Sequence, residues 1–139
     1  MKRSGMKLLA VLALPLAVAG CSRSGAPAAP AVEAISPQEA NAQVQRGAAV
    51  LVDVREKDEI EAGMAGPARW MALSSITAND GAFKEMLAQV PADRMAIFYC
   101  AAGHRAGIAA RRAVELGHRA ANMGGYSAWK TAGLPTRKP

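Results

Sequence analysis

One of the two cysteines in the chain has the surroundings of a nucleophile. Cys100 stands in the stretch Phe98-Tyr99-Cys100-Ala101-Ala102-Gly103-His104-Arg105-Ala106. The apolar run Met95-Ala96-Ile97-Phe98-Tyr99 predicts a buried strand leading to it, and the alanine-rich pattern from Ala106 to Leu116 predicts a helix leaving it. A thiol between a strand end and a helix start faces several backbone N–H groups that have no intrahelical partner. Those donors and the helix dipole favour an anion at the sulfur, which is the reactive form of a thiol. Ala101, Ala102 and Gly103 keep the surroundings of the sulfur uncrowded, and Gly103 permits a positive φ. Arg105 adds a fixed positive charge whose fork suits substrate oxygens or a structural carboxylate. This is the position of a nucleophile.

The elements that must position this thiol read as an alternation of strands and helices. Ser36-Pro37-Gln38-Glu39 has the form of a helix start with a capping box; the helix is expected to run to about Arg46, with Gly47 as its stop. Ala48 to Val54 is a continuous apolar run, the pattern of a strand buried on both faces of a parallel sheet. Arg55 to Ala62 predicts a short charged helix ended by Gly63, and Trp70 to Leu73 a weaker strand. Asp80 is expected to cap a helix carrying Phe83, Met86, Leu87 and Val90 at helical spacing, closed by Pro91. Arg119 to Met123 is a poor strand by propensity, and Gly124-Gly125 leads to a last helix from Tyr126 to Ala132. The fold class expected is α/β: one domain with a central parallel sheet and helices on both faces. Its ligand site should lie at the carboxyl ends of the strands, where Cys100 is placed.

At 139 residues the chain holds at most one ordinary domain. The first 20 residues read as a separate segment. Lys2, Arg3 and Lys7 precede the uncharged apolar run Leu8 to Ala19, too short for a membrane span of roughly 20 residues, and Val18-Ala19-Gly20-Cys21 closes it with small residues. This ending resembles the lipobox of bacterial lipoproteins; the alternative is an ordinary export signal beside a chance cysteine. The resemblance implies that Cys21 becomes a lipid-carrying N-terminus and holds the chain to a membrane facing the periplasm. Ser22 follows instead of an aspartate, which in a Gram-negative lipoprotein points to the outer membrane. Residues 21–35 are then the lipidated cysteine and a linker rich in Ser, Gly, Ala and Pro, and residues 36–136 the folded domain. Cys100 is left as the one thiol, without a partner for an internal disulfide.

The net charge of +6 falls to +3 once Lys2, Arg3 and Lys7 are removed, leaving 14 basic against 11 acidic side chains. Arg23, Arg137 and Lys138 lie in the tails. No basic stripe interleaved with aromatics is present, so nucleic-acid binding is not expected, while a mildly positive surface suits a small anionic substrate.

From Ser36 to Pro135 the sequence resembles a single rhodanese domain, on three features. Val50-Leu51-Val52-Asp53-Val54-Arg55-Glu56 resembles the family's first buried strand and Asp-Val-Arg turn. Cys100-Ala101-Ala102-Gly103-His104-Arg105 resembles its Cys-x-x-Gly-x-Arg loop, and Gly124-Gly125-Tyr126-Ser127-Ala128-Trp129 with Gly133-Leu134-Pro135 its closing motif. The resemblance implies a sulfurtransferase that carries a sulfane sulfur as a persulfide on Cys100. The donor would be a small anion such as thiosulfate and the acceptor cyanide or a thiol, with no cofactor. Residues 101–106 (Ala101, Ala102, Gly103, His104, Arg105, Ala106) would form the persulfide loop, with Asp53 and Arg55 as site support. The four residues between Cys100 and Arg105 are one fewer than in related cysteine phosphatases and arsenate reductases, a narrower cradle fitted to one sulfur. Two departures stand out: Ala106 replaces a common Ser or Thr, and Gly63-Met64-Ala65-Gly66-Pro67-Ala68 lacks the family's histidine.

Each feature also has a plainer reading. Cys100 could be a buried inert thiol, and the whole a non-catalytic rhodanese-fold module that binds a partner or senses sulfur or redox species. Arg105 reads equally as site cation and as ion-pair partner, and Asp53 and Arg55 more readily as turn and salt-bridge residues. His104 is expected at the loop rim and His118 at the surface. With Cys100 they show no metal-ligand spacing. Trp70, Trp129, Phe98 and the methionines read as core.

Overall fold

A computed structural model describes residues 31–139. The signal segment, Cys21 and most of the linker read above lie outside the described residues. The elements in chain order are β1 (Glu33–Ala34), α1 (Pro37–Gln45), β2 (Ala49–Asp53), α2 (Lys57–Glu61), β3 (Met64–Ala65), β4 (Arg69–Trp70), α3 (Leu73–Ala78), α4 (Asp80–Ala88), β5 (Met95–Cys100), α5 (His104–Glu115), β6 (Ala120–Gly125), α6 (Tyr126–Thr131) and β7 (Thr136–Arg137).

Five strands form one sheet in the order β1-β6-β5-β2-β4, every pair parallel. Its centre is β5, all six residues of which are buried, as the unbroken apolar run requires of a strand covered on both faces. One face packs Val52, Val54, Phe98 and Cys100 against Ile76 of α3, Phe83 and Leu87 of α4 and Ala106, Ala109 and Ala110 of α5. The other packs Leu51, Ile97, Tyr99 and Ala121 against Ala40 of α1 and Tyr126 and Trp129 of α6. The small residues of α5 let that helix lie close to the sheet. This is the α/β architecture expected, with helices on both faces.

Several local expectations are corrected. At α1 the box is half formed: Ser36 Oγ accepts the Glu39 N–H at 3.2 Å, while the Glu39 carboxylate takes Gln43 and Arg46 instead. Asn79, not Asp80, caps α4, its Oδ1 accepting the Ala82 N–H at 3.2 Å. Leu73 does not end a strand but starts α3, a helix hidden from the sequence because Ala72 offers no capping side chain and Ser and Thr fill its turns. Order begins before Ser36: Glu33 and Ala34 pair with Ala121 and Asn122. Arg137 is no free tail residue, because β7 pairs with β3 in a small antiparallel sheet and the guanidinium donates to the carbonyls of Gly66 and Ala68. Trp70 is 43% exposed instead of core, since β4 is the outer edge of the sheet; its indole N–H donates to the Arg55 carbonyl at 2.8 Å.

Candidate active site

Cys100 is the last residue of β5, at the carboxyl end of the sheet and in register with Gly125 of β6. The loop after it is only Ala101–Gly103; His104, Arg105 and Ala106 already form the first turn of α5. Several N–H groups were expected to converge on the sulfur. Among the described residues one reaches it, the Gly103 N–H, at 3.0 Å from Sγ. The turn that aims this donor needs a left-handed residue, and Gly103 has φ 99°. The same N–H is one of the unpaired donors at the start of α5, so the anion-favouring end of the helix dipole faces the sulfur.

The glycines of β6 hold this loop. A Cβ on Gly125 would lie 2.5 Å from the Ala101 carbonyl oxygen, and one on Gly103 would lie 3.2 Å from the Gly124 Cα. The loop and the strand end are thus in backbone-to-backbone contact that no larger residue allows. Asn122 completes the fastening. Its Nδ2 donates to the Gly103 carbonyl at 2.9 Å and its Oδ1 accepts the Gly124 N–H at 2.8 Å.

Arg105 resolves toward the ion-pair reading. Its two terminal nitrogens donate to the two oxygens of Glu59 on α2, at 2.5 and 2.7 Å. Oε2 of that carboxylate also accepts the Glu56 N–H at 2.9 Å. The hydrogen bond from Arg105 holds the Glu59 carboxyl down to about 2, and the same bond raises the Arg105 guanidinium, whose charge also faces Cys100. A bidentate, charge-assisted pair of this kind fixes the orientation of the first turn of α5.

Asp53 and Arg55 do not reach the loop as substrate contacts. Both are buried. Arg55 donates to both Asp53 oxygens, its closest approach being 2.6 Å, to the Gly63 carbonyl at 2.8 Å and to the Glu59 carbonyl at 3.3 Å. Burial by itself would lower the guanidinium; the hydrogen bond to Asp53, the charge of that carboxylate and Tyr99 together outweigh it, so Arg55 is raised. Its Cζ lies 4.2 Å from the centroid of the Tyr126 ring, a cation–π contact. Burial, with the charge of Asp53 next, pushes the Tyr99 phenol up, and Tyr99 Oη accepts the Ala65 N–H at 2.9 Å. Arg55 thus supports the site from beneath by tying the end of β2 to the helix that carries Glu59.

Of the residues expected at the site, the structure brings together Cys100, Ala101, Ala102, Gly103, His104, Arg105 and Ala106. His104 is exposed at the rim, and Ala106 is fully buried in the apolar cluster that contains Cys100. Sequence reasoning missed Glu59 and Asn122. The only sequence signal for Glu59 is an acidic residue four positions after Arg55, and Asn122 is the one polar side chain in an otherwise apolar strand.

Comparison with known proteins agrees with this geometry. Residues 36–132 match the family described as Rhodanese-like domain. Among curated proteins none matches this sequence. Among solved structures, CoADR-RHD of Bacillus anthracis is 28% identical over 72% of this chain, with a TM-score of 0.59; this chain spans only 17% of that one. A protein of unknown function from Rhodopseudomonas palustris, described as a possible tyrosine phosphatase, is 28% identical over 76% of this chain and 85% of its own, at a TM-score of 0.60. A thiosulfate sulfurtransferase from Pseudomonas aeruginosa shares the fold at a TM-score of 0.63, with 21% identity over 79% of this chain and 20% of its own. With the matched region covering its β2 strand, its Cys100 loop and its Gly124-Gly125 ending, this chain belongs to the rhodanese-like domain family.

Proposed function

We propose that the domain is a sulfurtransferase that carries a sulfane sulfur as a persulfide on Cys100. The observation that carries this reading is the Gly103 N–H 3.0 Å from Cys100 Sγ, in a three-residue loop locked by Gly124, Gly125 and Asn122. In the first half-reaction the Cys100 thiolate attacks the outer sulfur of a donor such as thiosulfate. The donor's S–S bond breaks, sulfite leaves with the electron pair, and the persulfide anion remains. In the second, cyanide or a thiolate attacks the outer sulfur and the electron pair returns to Cys100 Sγ. The loop donor and the α5 dipole stabilise the anion in both resting forms. Alternation of two forms gives ping-pong kinetics.

The loop geometry supports this reading in a way that can be tested without touching the thiol. Gly125→Ala drives a methyl into the Ala101 carbonyl and displaces the loop, so thiosulfate-dependent loading is expected to fall roughly ten- to hundred-fold while the protein stays folded by circular dichroism. Loading at the wild-type rate would show that the loop's fit is irrelevant. Ala106, where the family commonly carries a hydroxyl, favours the competing reading of a module that binds or senses sulfur species without turnover; such a module leaves Cys100 unmodified by thiosulfate.

We further propose that the chain is lipid-anchored through Cys21 at the periplasmic side of the envelope. The support is the sequence Val18-Ala19-Gly20-Cys21 behind a basic start and an apolar run. Metabolic labelling with a fatty acid checks it: label that persists in Cys21→Ser would contradict the anchor.

A further inference from the structure

Gly103 makes the one N–H contact to the sulfur among the described residues, so whatever fixes Gly103 fixes that contact. The helix does part of this, because the Gly107 N–H donates to the Gly103 carbonyl at 3.0 Å. The rest comes from Asn122, and β6 is built irregularly to supply it.

Phe98 of β5 stands opposite Asn122 and Tyr99 opposite Gly124, so Met123 is an extra residue with no partner in β5. This is a β-bulge, which re-aims side chains next to a site. Ala121 and Met123 are buried on the face covered by α1 and α6, while the Asn122 carboxamide turns toward α5. There a Cβ on Gly107 would lie 3.4 Å from Nδ2 and one on Gly103 would lie 3.8 Å from Oδ1. The carboxamide thus rests against two glycines one helical turn apart. The same extra residue brings Gly125, instead of Gly124, opposite Cys100.

The backbone behind the carboxamide is fixed from both sides. Asn122 is in register with Phe98 in β5 and with Ala34 in β1, and its carbonyl accepts the Ile35 N–H at 3.1 Å. Both ends of the carboxamide are spent, Nδ2 on the Gly103 carbonyl and Oδ1 on the Gly124 N–H. It therefore acts on the loop and not on a substrate. Gly103 needs such a restraint, because a glycine has the widest backbone freedom of any residue and its N–H is otherwise free to turn off the sulfur.

We infer that Asn122 is a positioning residue for sulfur transfer, acting through Gly103 to hold its N–H on Cys100 Sγ. This rests on the sulfurtransferase reading above. Its effect is preorganisation: the donor stands in place before charge gathers on the sulfur.

The test uses the full-length chain and two variants. Asn122→Ala loses both bonds. Asn122→Asp keeps an acceptor for the Gly124 N–H but sets an oxygen against the Gly103 carbonyl. In both, hydrogen exchange followed by NMR is expected to quicken about ten-fold at the Gly103 N–H, and by less at Ile97 in the centre of β5. A role in stability alone would quicken Ile97 as much. The kcat/KM for loading from thiosulfate should fall about ten-fold in variants that stay folded by circular dichroism. The exchange measurement needs no sulfur transfer, so it still decides whether Asn122 positions Gly103 if thiosulfate fails to load the wild-type chain. Gly103 exchange that rises no more than that of Ile97 would overturn the proposal, as would wild-type loading in a variant whose Gly103 N–H has been released.

Discussion

The molecule contains two arginine–carboxylate pairs a short distance apart in the fold, and they differ in what surrounds them. Asp53–Arg55 is closed off, with side-chain exposures of 0% and 6%; Glu59–Arg105 is open to solvent at 30% and 27%. In the first, Nη1 and Nη2 of the guanidinium also donate to backbone carbonyls, and the rings of Tyr99 and Tyr126 lie against it. That arrangement tolerates no loss, because a single deletion strands a buried charge. In the second, water can replace either partner, so the pair's value lies in orientation, since it sets the helix turn beside Cys100. One pair holds the fold and the other tunes the site. The Glu59 carbonyl, which accepts from Arg55, is where the two meet.

The contrast can be broken experimentally. The largest effect is expected for Arg55→Met, which leaves Asp53 buried and unpaired and should cost about 3–5 kcal/mol of stability by urea denaturation. Next comes Glu59→Gln, expected to cost about 1 kcal/mol because the pair is partly solvated, yet to slow persulfide loading about ten-fold by releasing Arg105. Equal stability losses in the two variants would erase the distinction. The smallest effect sharpens it through pH. The Glu59 carboxyl in the folded protein titrates at about 2, below its ordinary 4.5, so the folded form binds the proton less readily than the unfolded one. Its contribution is therefore complete above the ordinary value and is lost as pH falls from there through about 2. The urea midpoints of wild type and Glu59→Gln should converge across that window, and a constant gap down to pH 2 would refute the assignment.

What the sequence made legible was local. The strand into Cys100, the spacing to Arg105, the need for Gly103 and the turn at Asp53–Arg55 are all visible within a few residues of one another. Contacts that close across the chain were not. Glu59 meets Arg105 across 46 positions, and nothing in a charged helix says which carboxylate will face the loop. Trp70 is exposed because a two-residue edge strand lacks a neighbour to cover it, which composition does not reveal. Arg137 looks like a tail residue in the sequence because its partners are backbone carbonyls some 70 positions away, at Gly66 and Ala68. Gly124-Gly125 was legible as a motif, but its reason, the 2.5 Å approach to the Ala101 carbonyl, required the folded register of β5 and β6.

The central claim is the persulfide on Cys100, and intact-mass analysis after incubation with thiosulfate tests it most directly. The account predicts that the wild-type chain gains one sulfur atom, that cyanide removes it, and that Cys100→Ser gains none. A folded wild-type chain that remains unmodified under the same conditions would contradict it.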